Sequence, residues 1–374
     1  MSVDSGVKLE SVQVDGVARS QPVTAGDPGG LNRIARVVEE RLRAVFDQEC
    51  RRWGDVDARF SAPLKELEAF VLNGGKRLRP VFCHWAFVGA GGDPFDALVL
   101  DAGCALELLH SFALIHDDVM DGSPTRRGLP SVHVRYSDLH AASEWSGESR
   151  RFGDGVAILL GDLAFVYADQ LLEGASLAAR RVFTELRIEV NLGQYLDVVG
   201  TAERISDVKF AQEVAIYKSG KYSVERPLHL GAALAGRLDE LAPSLSAYGM
   251  PLGEAFQLRD DILGVFGETS ETGKPVGDDI VEGKPTLLYA LTKERATSRQ
   301  RLVLDELFGR PDLGSGEIKL VQDLFVDCGA LDSVELRIEE LVNVAVNGLD
   351  GALLLDEASE SLRELALFVA RRRS

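Results

Sequence analysis

Residues 108–128 read LLHSFALIHDDVMDGSPTRRG, an apolar run that leads into three aspartates and then two arginines. Such a run is typical of a buried helix. Asp117 and Asp121 are four residues apart, so their carboxylates share one face of that helix. The two carboxylates repel each other unless a cation lies between them, and Mg²⁺ takes carboxylate oxygens while keeping positions open for water and phosphate. The segment therefore predicts a helix that ends at a divalent-metal site, beside the cationic pair Arg126 and Arg127.

A second acidic cluster lies far downstream in AFQLRDDILGVFG, residues 255–267. Asp260 and Asp261 again close an apolar stretch. The position four after Asp260 is Gly264, so this cluster has one carboxylate fewer than the first. Two clusters of this pattern, each at the end of an apolar segment, are difficult to explain as surface charge.

The rest of the chain is also patterned for helices. Apolar residues recur at helical spacing from residue 31 onward, and strand-like alternation is nearly absent. The first such stripe consists of Leu31, Ile34, Val37, Val38, Leu42, Val45 and Phe46. The polar segment 143–153 predicts a surface loop. We predict one all-α domain over residues 31–374, preceded by a flexible tail at residues 1–30 that is rich in small and polar residues.

Composition excludes several classes of function. Lys and Arg total 41 against 59 Asp and Glu, a net charge of −18. This charge argues against binding to nucleic acid or to anionic lipid. The four cysteines are scattered without metal-ligand spacing. The N-terminus lacks an apolar core, and the most apolar stretch, residues 156–168, is too short to span a bilayer. We therefore expect a cytoplasmic protein without stable membrane insertion.

Three basic segments complement the acidic clusters. The turn GGKRLRP, residues 74–80, offers Lys76, Arg77 and Arg79 as charged donors for phosphate oxygens. IYKSGKYS, residues 216–223, adds Lys218. Residues 268–286 form a glycine-rich loop with lysines at 274 and 284, which predicts a lid that closes over an anion. In an acidic protein, only such local groups can attract an anionic substrate.

Taken together, these motifs resemble the trans-isoprenyl diphosphate synthase (polyprenyl synthetase) family over about residues 31–370. The resemblance rests on GGKRLRP, HSFALIHDDVMDGSPTRRG, GQYLDVV at 193–199, IYKSGKYS and FQLRDDILGVFG, in the family's order. It implies a single bundle of antiparallel helices around a deep central cavity, usually as a homodimer. It also implies condensation of isopentenyl diphosphate with an allylic diphosphate, with three Mg²⁺ ions when substrate is bound.

The resemblance assigns roles to individual residues. Those implied in catalysis are Asp117, Asp118, Asp121, Asp260, Asp261 and Lys218, of which Asp117, Asp121 and Asp260 bind metal. Isopentenyl diphosphate is expected at Lys76, Arg79, His110 and Arg127. The allylic diphosphate is expected at Arg126, Lys218, Ser219, Gln257, Lys274 and Lys284, with Gln194 and Asp197 on the polar rim. Two departures from the family pattern are Ser219, where threonine is frequent, and Gly264, where the second motif usually has its last aspartate.

Product length is expected to depend on the helix that precedes the first motif. Phe112, five residues before Asp117, would lie roughly 7–8 Å deeper along the helix. Ala113 is small and shares a face with Asp117. A single aromatic at the deeper position resembles family members that make the twenty-carbon product. We therefore expect geranylgeranyl diphosphate, with farnesyl diphosphate second and longer chains third.

Three other functions fit the motifs less well. A class I terpene cyclase shares the fold but would carry an NDxxSxxxE-type second motif and lack GGKRLRP. A non-catalytic subunit of a heteromeric synthase would lose its acidic clusters, whereas this chain keeps both. A purely structural helical protein does not explain the paired basic motifs. The motifs favour a prenyltransferase over all three.

Overall fold

A computed structural model describes residues 27–267 and 276–372, and the predicted all-α fold is confirmed. The helices are α1 Leu31–Gly54, α2 Ser61–Leu72, α3 Leu78–Gly89, α4 Ala97–Asp121, α5 Val132–Ala142, α6 Ser149–Gln170, α7 Leu177–Glu203, α8 Val208–Val214, α9 Arg226–Leu234, α10 Leu238–Phe266, α11 Asp278–Glu282, α12 Leu287–Arg295, α13 Ser298–Leu307, α14 Ser315–Asp327, α15 Ala330–Gly348 and α16 Asp356–Arg371. A two-residue hairpin, β1 Thr125–Arg126 with β2 Leu129–Pro130, follows α4.

Helix α4 is the centre of the bundle. It packs against α1, α3 and α6, while α10 packs against α15 and the segment that precedes α9. The largest fully buried side chains include Trp85, Phe82 and Tyr248. Their polar atoms have partners: the Trp85 indole donates to the Gly29 carbonyl at 2.6 Å and the Tyr248 hydroxyl to the Leu362 carbonyl at 2.7 Å. These contacts tie both ends of the described chain to the core.

The predicted N-terminal tail is only partly visible. Residues 1–26 lie outside the described residues. Pro28–Gly30, which the sequence pattern assigned to the tail, form a turn of 3₁₀ helix. The Gly29 amide donates to the Glu364 carboxylate at 2.8 Å, and Gly29 and Gly30 are buried. Residues 28–30 therefore pack against the domain that was predicted to begin at residue 31.

The segment between α8 and α9 was predicted as ordinary helix. Residues Ala215–Glu225 instead form a π-helix, in which each turn is wider than in an α-helix. The π-helix lies so close to α10 that a side chain on Gly253 would come within 2.4 Å of the Gly220 carbonyl oxygen. Wide turns of this kind are frequent at functional sites because they re-aim side chains.

Two further expectations about helices need correction. The segment 143–153 is a loop only as far as residue 148, because α6 begins at Ser149. The most apolar long helix is α4 rather than residues 156–168, and α4 is long and apolar enough to cross a membrane by length and composition. Most of its apolar window is buried inside the bundle, which is what a core helix requires.

Candidate active site

The C-terminal halves of α4 and α10 border a single cavity of about 390 Å³, within the usual size range of ligand pockets. Its lining brings together most of the residues that the sequence singled out. From the acidic and basic motifs these are Arg79, His110, Asp117, Arg126, Gln194, Asp197, Lys218, Ser219, Gln257, Asp260, Asp261 and Lys284, and from the expected floor Phe112 and Ala113.

The first acidic motif sits at the end of α4. The Asp117 carboxylate accepts hydrogen bonds from the Gln194 amide at 3.0 Å and from the Lys218 ammonium at 3.1 Å. Asp121 is one turn further along. Burial and the Asp117 carboxylate raise the pKa of Asp121 to about 6. The two carboxylates thus crowd each other, as their spacing predicts.

Asp118 has a different environment from its two neighbours. Its side chain is almost fully buried and is not part of the cavity lining. It pairs with Arg126, whose Nε lies 2.9 Å from the Asp118 Oδ1 and whose Nη2 lies 3.4 Å from the Asp117 Oδ2. Asp118 was expected among the catalytic residues, but its geometry fits a positioning residue that holds Arg126 at the rim.

The second acidic motif lies on α10 across the cavity. The Gln257 amide donates to the Asp261 carboxylate at 2.6 Å. Burial and the nearby Asp279 carboxylate raise the pKa of Asp261 to about 8. Asp260 is more exposed and forms an ion pair with Arg372 at 2.6 Å. Sequence reasoning missed Arg372, because nothing local indicates that the last turn of the chain returns to this motif.

Phe256 holds Arg372 through two contacts. Its guanidinium lies over the Phe256 ring, 3.8 Å from the ring centroid, and donates to the Phe256 carbonyl at 2.9 Å. The C-terminal end of the described chain thus lies on the carboxylate that was expected to bind metal. An ion at Asp260 would have to share or displace this contact.

The π-helix carries Lys218 into the first motif. Its ammonium bridges Asp117 at 3.1 Å and Asp197 of α7 at 2.5 Å. Although burial disfavours its charge, the Asp117 and Asp197 carboxylates raise the pKa of Lys218 above its ordinary value. Lys218 is therefore a permanent cation. Asp197, expected on the rim, is buried and orients it.

Lys284 connects the two acidic walls. Its ammonium lies 3.5 Å from the Asp121 Oδ2, 3.5 Å from the Asp279 Oδ1 and 2.6 Å from the Glu282 Oε2. Lys274, the other lysine expected in this loop, falls among residues 268–275, which are outside the described residues.

The basic residues of the turn before α3 have different environments. Arg79 is buried and enters the cavity, where its guanidinium lies over the Tyr222 ring at 4.2 Å and donates to the Ser223 hydroxyl at 2.8 Å. Arg77 was offered as a phosphate donor, but this expectation is wrong. Its side chain is buried between Glu107 at 2.6 Å and Glu39 at 3.2 Å, so it fixes the turn to α1 and α4.

Lys76 and Arg127 lie outside the cavity lining, beside the same turn. Arg127 donates to the Asn73 and Gly74 carbonyls at 2.8 and 2.9 Å. Gly75 has a φ of +107°, and a side chain there would approach the Arg127 guanidinium, so glycine is needed on both counts. Burial lowers the pKa of Arg127 to about 10, and burial together with Arg372 lowers the pKa of Lys76 to about 8. A bound anion would stabilise the charged form of both side chains.

His110 is a cavity residue held by Tyr222. The His110 Nδ1 and the Tyr222 hydroxyl are 2.6 Å apart. Burial, with Arg79 and Arg127 nearby, lowers the pKa of His110 well below its ordinary range. A neutral imidazole can donate one hydrogen bond to an anion without adding charge. Tyr222 is a second residue that the motif analysis did not single out.

Phe112 and Ala113 line the cavity on the α4 side, as expected of its floor. The Phe112 ring packs against Phe165 of α6 at 4.8 Å between ring centroids and against His116 at 4.6 Å. Phe165 was not predicted, because its approach to Phe112 depends on the packing of α6 on α4. Phe112 thus lines the cavity with a second aromatic ring, that of Phe165, packed behind it.

The donor set fits Mg²⁺. Among residues 27–267 and 276–372, no three His, Cys, Asp or Glu side chains converge closely enough to enclose an ion by themselves. Carboxylates of both acidic motifs, those of Asp117 and Asp260, instead line the cavity. Burial and the Asp117 carboxylate raise the pKa of Asp121, and a cation beside it would favour its charged form. Mg²⁺ is commonly held by one or two carboxylates, with water and substrate phosphate completing the octahedron. Asp117, Asp121 and Asp260 would hold it here.

Comparison with known proteins agrees with this geometry. The polyprenyl synthetase family profile matches residues 62–324. A short chain isoprenyl diphosphate synthase of Methanothermobacter thermautotrophicus is 33% identical over 350 residues, covering 91% of this chain and 97% of that protein. A geranylfarnesyl diphosphate synthase of Aeropyrum pernix is 33% identical over 303 residues, covering 79% and 89%.

A solved structure extends the comparison to three dimensions. A geranylgeranyl pyrophosphate synthase from Corynebacterium glutamicum, crystallised with isoprenyl diphosphate and magnesium, superposes with a TM-score of 0.87 at 38% identity. The superposition covers 92% of this chain and 99% of that one. Fold, motifs and full-length similarity lead to one conclusion: the chain belongs to the polyprenyl synthetase family of trans-isoprenyl diphosphate synthases.

Proposed function

We propose that the protein is a Mg²⁺-dependent prenyltransferase that condenses isopentenyl diphosphate with an allylic diphosphate to give a short-chain all-trans prenyl diphosphate. Family membership makes it a prenyltransferase. The observation that carries the specific reaction is one cavity that holds carboxylates on two facing helix ends, cations between them and an apolar floor. Each feature meets one requirement of the reaction.

Ionisation of the allylic diphosphate is the first demand. Mg²⁺, when bound, neutralises the leaving diphosphate. Lys218, held charged by Asp117 and Asp197, and Arg126, held by Asp118, donate to the diphosphate oxygens as their charge develops. Ser219 and Gln257 lie within the same lining and supply neutral donors. Lys284 lies between Asp121 and Asp279, so its ammonium is also placed to bind the departing diphosphate.

The second substrate needs a separate anion site. Arg79 and His110 line the cavity next to Tyr222, and Lys76 and Arg127 lie at the basic turn behind them. We place the diphosphate of isopentenyl diphosphate there. Its double bond then attacks the allylic carbocation, a carbon–carbon bond forms, and a proton is lost to the departed diphosphate. No side chain acts as nucleophile.

The apolar floor protects the carbocation from water and limits the product. With Phe112 backed by Phe165, we propose the twenty-carbon geranylgeranyl diphosphate as the main product. The test is incubation with isopentenyl diphosphate, Mg²⁺ and each allylic primer in turn, followed by chromatography of the dephosphorylated products. A geraniol-to-geranylgeraniol ladder that stops at twenty carbons is expected. A cyclic hydrocarbon, or no elongation of any primer, would refute the assignment.

We further propose that the protein is a cytoplasmic homodimer. Large apolar side chains are exposed on α6 and on α7, and Asp169 of α6 forms an ion pair with Arg187 of α7 at 3.0 Å. The exposed residues are Ile158, Leu159, Val166, Ile188, Leu192, Tyr195 and Val198. So many exposed large apolar side chains on two helices are typical of a protein–protein contact. A second copy of the chain, which would bury the same face by two-fold symmetry, is the partner we favour.

A further inference from the structure

The second acidic motif lacks its last carboxylate, but the space beside that position is filled by one from elsewhere. A side chain on Gly264 would place its Cβ 2.1 Å from the Asp279 Oδ2 and 2.4 Å from the Asp279 Cγ. No real side chain tolerates such distances, so the Asp279 carboxylate occupies the volume that a residue at 264 would need. Asp279 can lie in this position because residue 264 of α10 is glycine.

The chain delivers Asp279 from a short element rather than from α10. Gly277, with a φ of +76°, turns the backbone into α11, and Asp279 is the second residue of that helix. Helix α11 packs against α10, and Asp279 lines the same cavity as Asp260, Asp261 and Gly264. Its carboxylate thus belongs to the second wall of the site although it lies far from the motif in sequence.

Asp279 also connects the second wall to the first. Its Oδ1 lies 3.5 Å from the Lys284 ammonium, which is equally 3.5 Å from the Asp121 Oδ2. The neighbouring Asp278 is just as buried but is not part of the cavity lining. Of the two adjacent aspartates, only Asp279 is directed towards the site.

We infer that Asp279 supplies the third acidic position of the second metal-binding motif, with a carboxylate from α11 replacing the one absent at Gly264. The inference deepens the proposed function and rests on it. A carboxylate at this place adds negative charge and oxygen donors to the ion held by Asp260, either directly or through a coordinated water. Helix α11 thereby becomes part of the metal site.

The test measures metal binding rather than turnover. Mn²⁺ is titrated into the protein with inorganic diphosphate present, and free Mn²⁺ is followed by electron paramagnetic resonance. Asp279→Asn keeps the shape of the side chain and should weaken Mn²⁺ binding about tenfold or more, as loss of a ligand or its hydrogen-bonded support does. Asp278→Asn, the matched control on the same helix, should change it less than about twofold.

A carboxylate exchange provides the second arm. Gly264→Asp alone should lower the melting temperature, because its side chain collides with Asp279. Asp279→Ala alone should lose Mn²⁺ affinity. The double variant Gly264→Asp/Asp279→Ala places the carboxylate on α10 in the space that Asp279 has left, and it should recover most of the affinity.

The outcomes separate this inference from the proposed function. Unchanged affinity in Asp279→Asn, with Asp260→Asn impaired, overturns the inference and leaves the prenyltransferase site intact. Failure of the double variant to exceed Asp279→Ala in affinity, although folded by circular dichroism, likewise counts against it. Unchanged affinity in Asp260→Asn and Asp117→Asn as well would instead remove the metal site on which the proposed function depends.

Discussion

Two charged side chains close to the cavity, those of Asp121 and Lys76, are held in arrangements that are unfavourable without a ligand. Burial and Asp117 raise the pKa of Asp121 to about 6, while burial and Arg372 lower the pKa of Lys76 to about 8. Each shift means that the group resists the charge it needs for binding. The acidic groups would be relieved by a cation and the basic ones by an anion, so a metal–diphosphate complex satisfies both.

Stability should therefore depend on pH through Asp121. Its pKa is raised from 3.8 to about 6, so between these values the native state binds more protons than the unfolded state. Stability from this group is present at low pH and is lost as pH rises through about 6. In EDTA, Asp121→Asn should be more stable than the natural chain at pH 8, and the difference should shrink towards pH 5.

Thermal melting of both proteins at several pH values checks this expectation, and the difference between them removes the contributions of other titrating groups such as His110. Addition of Mg²⁺ and diphosphate at pH 8 should make the natural chain the more stable of the two proteins, because only the natural chain keeps the Asp121 carboxylate that binds the metal. A difference that grows towards pH 5 would contradict the assigned direction.

Arg79 tests the separation of the two diphosphate sites. Arg79→Ala removes a charge-assisted hydrogen bond, so the KM for isopentenyl diphosphate should rise by roughly tenfold or more while the KM for the allylic substrate changes little. Arg79→Lys keeps the charge but lacks the planar guanidinium. Its KM for isopentenyl diphosphate should lie between those of the natural chain and Arg79→Ala. Steady-state kinetics with each substrate varied in turn decides the matter. A larger effect on the allylic KM would reverse the assignment.

Helices were the most predictable elements, and their irregularities were the least. The period of apolar residues predicts helices that match α1 to α4 within a few residues, because burial of one face is a local property of sequence. The same period cannot distinguish an α-helix from the π-helix at residues 215–225, which depends on the close approach of Gly220 to Gly253. The same period does not indicate helix α5, because its sequence, VHVRYSDLHAA, has little amphipathic pattern.

Site residues within motifs were predicted, and those brought by tertiary packing were not. The motifs identified Asp117, Lys218 and Asp260, all of which line the cavity. Asp279 reaches it from α11, and Arg372, near the C-terminus, pairs with its residue Asp260; no local pattern indicates either contact. The same holds for Arg77, whose motif suggests phosphate binding although its partners are Glu39 and Glu107.

The floor formed by α4 and α6 should set product length. Phe112→Ala removes one of the two aromatic rings and should lengthen the product, with Phe165 as the remaining obstacle. Ala113→Phe places a ring closer to Asp117 and should shorten the product to fifteen carbons. Chromatography of dephosphorylated products checks both variants. If both are folded and active yet keep the natural product distribution, the floor lies elsewhere.

At the scale of the molecule, the exposed face of α6 and α7 predicts assembly. Light scattering should give twice the chain mass of 40.6 kDa. Leu192→Glu should yield monomers, because a charge cannot be buried in an apolar contact without a partner. Leu302→Glu, at an exposed leucine on α13, is the matched control and should leave the dimer intact. A natural chain that is monomeric at micromolar concentration would contradict the dimer.

The central claim is that facing carboxylates and the metal they hold drive loss of the allylic diphosphate. It is tested most directly by the rate of condensation of isopentenyl diphosphate with farnesyl diphosphate, in Mg²⁺ and in excess EDTA, for the natural chain and Asp117→Ala. Metal stabilisation of the leaving group contributes several kcal/mol, so Asp117→Ala should be slower by about a thousandfold or more and EDTA should abolish turnover. A variant within about threefold of the natural rate, or full activity in EDTA, would contradict the account.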